Sequence, residues 1–161
     1  MDKGQYGRKD RLIQQKRIDA YEEKQKLPDP TQCEQCKAVF TGGRWTWNIL
    51  PDISNKSICP ACQRTNDNFP AGYIELSGTF LKHHKDEIHN LIKNIEENEK
   101  NQHPIERIMD ITTEESKTTI TTTGIHIARR IGEAVNKAYQ GNLDFSYGDN
   151  EKIIRVNWNR D

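Results

Sequence analysis

The chain has 161 residues, of which 33% are apolar and 30% charged, with a formal net charge of zero and a mean hydropathy of −0.96. Globular chains usually carry about 45–50% apolar residues, so one large core is excluded, and small modules stapled by a metal are expected instead. Zero net charge gives no global electrostatic case for nucleic acid. With no long apolar run and no apolar N-terminal stretch, neither a membrane-spanning helix nor a signal peptide is expected, and the chain reads as cytoplasmic.

Residues 1–30 form a polar arm. Its first 26 residues hold eight basic side chains, among them Arg8, Lys9, Arg11, Lys16 and Arg17, against five acidic ones, so the arm is locally basic. Such an arm suits an anionic partner. Leu12, Ile13, Ile18 and Tyr21 could make a short amphipathic helix. A segment that folds only on binding is the alternative. The prolines of LPDP end it.

Residues 31–78 carry all four cysteines as two CxxC pairs, Cys33–Cys36 and Cys59–Cys62, separated by 22 residues. In each pair a two-residue gap lets one tight turn aim two thiolates at one ion. Two such turns complete a tetrahedral zinc site with no open position, so one structural Zn²⁺ is expected rather than a catalytic one. Redox CxxC pairs would need a βαβ context, which this segment lacks. GGRWTWN between the pairs suggests a zinc ribbon with a hairpin on each knuckle. Trp45 and Trp47 alternate on its strand beside Arg44. They could stack on RNA bases while Arg44 meets phosphate, or they could cover the small core of the ribbon.

Residues 79–102 read as one helix, with Leu81, Ile88, Leu91, Ile92 and Ile95 at helical spacing, Thr79 as N-cap and Pro104 beyond its end. His83, His84 and His89 on it lack the HExxH spacing of a metalloprotease and read as solvated side chains.

Residues 103–161 alternate between elements. ERIMDITTE is a strand with Met109 and Ile111 on one face, and KTTITTT is a second strand after a turn at Glu114–Ser116. GIHIARRIGEAVNKAYQ is a helix with the stripe Ile127, Ile131, Ala134, Val135 and Ala138, capped by Thr122 or Thr123 and closed by Gly141. Gly132 inside it signals a close approach to a sheet. LDFSY and KIIRVNW alternate as strands around the turn YGDNE. The fold expected is α+β: the basic arm, a four-cysteine zinc ribbon, a helix, and a small β-β-α-β-β antiparallel sheet with helices on one face. The stretch 118–132 contains no Walker lysine and no GxGxxG, and nothing orients His126 as a base toward a threonine, so no enzyme and no small-molecule substrate are expected. His126, Arg129 and Arg130 fall on the outer side of the helix, in its first turns, where backbone amides favour anions.

The segments CEQCKAVF, GRWTW, CPACQRTNDNFPAGYIELSGTFL, HPIERIM, TTTGIHIARRIGEA and AYQGNLDFSY together resemble a small prokaryotic zinc-ribbon family of low-oxygen-activated gene clusters. That family is distantly similar to the NMD-type ribosome export adaptors, which are longer and carry more zinc-binding cysteines. The resemblance spans residues 27–160. It implies association with the ribosome or ribosomal RNA, the large subunit favoured, by a factor that parks or protects idle ribosomes, with Arg44, Trp45, Trp47, His126, Arg129, Arg130 and the arm as candidate RNA contacts. The alternative is a zinc-ribbon adaptor that binds protein and no RNA.

Overall fold

The computed structural model describes residues 27–148 and 152–161. The arm residues Arg8, Lys9, Arg11, Lys16 and Arg17, the helix expected around Leu12–Tyr21, and Asp149–Glu151 of the turn lie outside the described residues.

The ribbon begins with a four-stranded mixed sheet. Its strands are β1 (Thr31–Cys33), β2 (Val39–Thr41), β3 (Arg44–Thr46) and β4 (Asn55–Ser57), in the order β3-β2-β1-β4. β1, β2 and β3 pair antiparallel, and β4 lies parallel to β1. Gly42 and Gly43, at φ 63° and 81°, make the tight β2–β3 turn, a left-handed conformation that glycine adopts without a Cβ penalty. The Asp29 carboxylate accepts from Thr41 Oγ1 and the Gly42 amide, which hold its pKa below the usual range. Cys59–Cys62 carries no hairpin. It opens helix α1 (Pro60–Asp67), because Pro60 sits at the first helical position and the Cys59 sulfur caps the Cys62 amide.

The second sheet has five strands: β5 (Gly72–Ser77), β6 (Ile108–Thr113), β7 (Lys117–Thr122), β8 (Asn142–Tyr147) and β9 (Ile154–Asn159). Their order is β6-β7-β5-β9-β8. Two expectations are corrected here. The sheet is mixed, because β5 runs parallel to β9. Its central strand, β5, comes from the segment assigned to the ribbon. GYIELS has the alternation of a half-buried strand, with Gly72, Ile74 and Leu76 buried. Its partners β7 and β9 lie far along the chain, so the cysteine-based boundary at residue 78 cut through this unit.

One face of the sheet is apolar. Ile74 and Leu76 of β5, Ile120 of β7, and Ile154, Val156 and Trp158 of β9 are all buried there. Burying each such side chain contributes about 1.5–3 kcal/mol. The threonines of β7 divide by the same alternation: Thr118 and Thr122 point in, Thr119 and Thr121 out. In β6 a bulge between Ile108 and Asp110 shifts the register, so Ile108 and Ile111 face the core in place of Met109 and Ile111; one extra residue reverses the alternation.

The helices α2 (Thr79–His83), α3 (Lys85–Gln102) and α4 (Ile125–Tyr139) cover that face. The single helix expected over 79–102 is broken at His84, whose backbone leaves the helical region at φ −129°, ψ 27° while its ring stacks on Phe80. Leu81, Ile88, Ile92 and Ile95 are buried as expected. Gly78 rather than Thr79 stands at the N-cap. In α4 the buried set is Ile127, Ala128, Ile131, Gly132 and Val135, while Ala138 is exposed. The expected close approach is real: a Cβ on Gly132 would lie 2.6 Å from Val156 Cγ1. The left-handed residue closing α4 is Gln140, with φ 48°, not Gly141.

Candidate metal centre

The four cysteines come from three elements. Cys33 ends β1, Cys36 follows in the tight turn, and Cys59 and Cys62 belong to the N-terminus of α1. Their sulfurs all lie within 4.8 Å of one another, with Cys33–Cys62 at 3.8 Å and Cys36–Cys59 at 3.7 Å. A tetrahedral ion with sulfurs at about 2.3 Å separates them by about 3.8 Å. The donor set therefore fits one tetrahedral thiolate-bound metal, zinc being compatible. Among the described residues no other His, Cys, Asp or Glu cluster of three gathers its ligand atoms this way. His84 reaches Glu87 and His89 reaches Thr113 instead.

Backbone amides support the sulfurs. The Cys59 amide donates to Cys33 Sγ at 3.3 Å and the Cys62 amide to Cys59 Sγ at 3.4 Å. Placing the second pair at a helix N-terminus adds the favourable end of the helix dipole. The hydrogen bond shared with Cys59 is the main force holding the Cys36 thiol down to about 4, with Arg107 adding its charge. The same hydrogen bond pushes Cys59 up, and burial pushes Cys62 up.

The residue that sequence reasoning missed is Arg107. It sits just before β6, yet its guanidinium donates to Cys36 Sγ at 3.0 Å, to Cys62 Sγ at 3.4 Å and to Cys59 Sγ at 3.5 Å. It also lies 5.8 Å from the Trp47 ring centroid. Burial pulls its pKa down, but the bond to Cys62 and the charges of Cys59 and Cys36 outweigh burial and hold it up. No local pattern in HPIERIM distinguishes this arginine from a solvated one.

The indoles occupy the positions a packing role requires. Trp45 and Trp47 are half-buried against the cysteine cluster, Trp45 edge-on to Phe40. Trp47 Nε1 donates to the Lys100 carbonyl of α3 at 2.6 Å. Arg44 is exposed on the hairpin.

His126, Arg129 and Arg130 are exposed on the outer side of α4, as expected. With Glu133, Ala134 and Lys137 they line an open hollow of about 630 Å³. Arg129 pairs with Glu133 at 3.4 Å and meets the Tyr147 hydroxyl. Arg130 Nε lies 3.0 Å from Glu99 Oε1, and His126 Nε2 lies 3.3 Å from Glu99 Oε2, without hydrogen-bond alignment. Glu99 is only 5% exposed.

Neither Thr122 nor Thr123 caps α4. Thr122 Oγ1 donates to the Gly124 carbonyl, and Thr123 Oγ1 accepts from the Arg107 amide. The first turn of α4 is satisfied from outside the helix by Glu106, whose Oε1 accepts from the Ile127 amide at 2.8 Å. Burial pushes the Glu106 carboxyl up. Its folded form is thus the weaker acid. The stability tied to it is largest when it is protonated and declines as pH rises through the folded value. Urea melts of the wild type and Glu106→Gln, taken from about pH 4 upward, should show this: the wild type loses stability relative to the variant as pH rises. Glu106→Ala, which removes the acceptor, should cost about 1–3 kcal/mol. A wild type that gains on the Gln variant with rising pH would contradict the assignment.

No described helix is long and apolar enough to cross a membrane. In comparisons with known proteins, the chain matches no family model, no curated protein and no solved structure at a significant level.

Proposed function

We propose that this is a non-catalytic zinc protein that associates with the ribosome through ribosomal RNA, the large subunit favoured, and parks or protects idle ribosomes under low oxygen or starvation. Four thiolates around one tetrahedral position suit zinc, which has no redox chemistry of its own, and four protein ligands leave no position for substrate. The RNA part rests on the outer face of α4, where His126, Arg129, Arg130 and Lys137 surround one hollow. The resemblance of the cysteine knuckles and of TTTGIHIARRIGEA to a small prokaryotic family distantly similar to the ribosome export adaptors supports the same reading. Arg44 on the ribbon hairpin adds a further exposed cation.

The test is co-sedimentation with purified ribosomes across a salt series. Binding should fall linearly with salt on logarithmic axes, because neutralising phosphates releases counterions. Arg129→Ala with Lys137→Ala should weaken binding and reduce the slope by about one for every phosphate the variant no longer neutralises. Protein that stays at the top of the gradient at low salt, with ribosomes from stationary or oxygen-starved cells, sinks the reading.

A second reading has its own observation. Ile49 is 96% exposed beside Leu50 on the loop after Trp47, an apolar tip suited to a protein partner. A complex that resists nuclease and salt but is lost in Ile49→Asp would favour a protein-binding adaptor.

A further inference from the structure

Arg107 lies outside the ribbon in sequence and inside its electrostatics in space. It is fixed at both ends. Its amide donates to Thr123 Oγ1 at 2.8 Å, and its carbonyl accepts from the Thr123 amide at 2.8 Å, tying it to the β7–α4 connection. Its Nε donates to the Pro104 carbonyl. The remaining two nitrogens are spent on sulfurs of the cysteine cluster. Two further contacts cross the same joint: Ile105 packs on the cysteine cluster, and Trp47 bonds the last turn of α3. Two separate cores, one around the cysteines and one under the sheet, thus meet where one guanidinium faces the metal ligands.

We propose that Arg107 makes metal loading of the ribbon control its docking on the five-stranded unit. The inference rests on the metal reading of the four cysteines. Four thiolates around a dication leave a centre of net charge 2−. Arg107 offsets one of those charges across three N–H···S bonds, in the manner of groups just beyond the ligands that tune metal sites. With the metal gone the cluster no longer assembles its full 2− charge, and the half-buried guanidinium loses part of the anion that offsets its desolvation. The joint then opens at residues 104–107 as the ribbon loses its metal-held core, while the core under the five-stranded sheet stays intact. Thermodynamic reciprocity requires one coupling factor for both directions: the factor by which docking tightens metal binding is the factor by which metal tightens docking.

The experiment uses the full chain as wild type, Arg107→Met and Arg107→Lys. Zinc affinity is measured by competition with a chromophoric chelator. Amide exchange is followed at residues 105–108 and 123–127, with zinc bound and after chelation. Arg107→Met should weaken zinc by about 10–100-fold. Its joint amides should exchange with zinc bound as fast as those of the chelated wild type. Arg107→Lys, which keeps the charge and loses the fork, should fall between. Amides of β5 and β9 report whether the sheet unit stays folded; if Arg107→Met unfolds it, the lysine variant and the chelated wild type decide. Wild-type zinc affinity in Arg107→Met or, in that event, in Arg107→Lys overturns the proposal, as does joint exchange in the wild type that chelation does not change. A wild type that takes up no zinc overturns the metal reading itself, an outcome distinct from zinc uptake without coupling.

Discussion

Stripping the metal is expected to unfold the ribbon and leave the five-stranded unit folded. The strands of the ribbon are three residues each, and its buried apolar core is little more than the cysteines, Ala38 and Ala61. Apparent metal-binding free energies of structural zinc sites are about 10–16 kcal/mol at neutral pH, and in such modules that is folding free energy. The sheet unit has an independent core built on Ile74, Ile120, Val156 and Trp158. Elemental analysis should find one zinc per chain. Chelation should change the emission of Trp45 and Trp47, which pack on the cysteines, and should spare amide protection in β5, β7 and β9. Cys59→Ser is the sharpest variant. Serine is itself a good N-cap, so it keeps the cap of α1 and removes one metal ligand. Loss of zinc with an intact sheet is the expected result. A ribbon still protected after complete metal removal would overturn the assignment.

Arg130→Ala is expected to cost about 1–3 kcal/mol, and Glu99→Gln is expected to recover most of it. Removing one partner of a buried ion pair costs about 3–5 kcal/mol because it strands the other charge. Here Glu99 is 5% exposed, but Arg130 is 51% exposed, and solvent on that side reduces the loss. A double-mutant cycle over wild type, Arg130→Ala, Glu99→Gln and the double variant isolates the pair term. Additive effects would show that Glu99 does not depend on Arg130. The pair also bears on RNA binding. Arg130 is the counter-ion of a buried carboxylate, so truncating it perturbs the α3–α4 packing as well as any bond to phosphate. Arg129 and Lys137 carry no such burden and are the cleaner probes of the outer face.

The candidate metal centre was legible because its information is local. Two CxxC pairs state the ligands, their number and their turn geometry without reference to the rest of the chain, and all four sulfurs converge. The stripes Leu81–Ile95 and Ile154–Trp158 were legible for a similar reason, since burial on one side imposes a period that the residues must show. Gly132 was legible as a position where helix and sheet touch. The arm contacts at Arg8, Lys9, Arg11, Lys16 and Arg17 remain expectations of the sequence alone.

What the tertiary structure decided is where distant segments meet. GYIELS carried a strand pattern, but only its pairing with Lys117–Thr122 and Ile154–Asn159 makes it the centre of a mixed sheet rather than the tail of a ribbon. Strand pairing is set by which partner completes the hydrogen bonds and the apolar face, and neither is written in the strand itself. In TTITTTGIHIARRIG the helix start at Gly124 is satisfied by Glu106, brought from outside the helix, and the outward Arg130 is held by Glu99 of a different helix. Arg107 is the clearest case. By sequence it is one charged residue among many. Its role comes from three sulfurs contributed by the other module, because charge acts through space and the fold alone decides which charges are near.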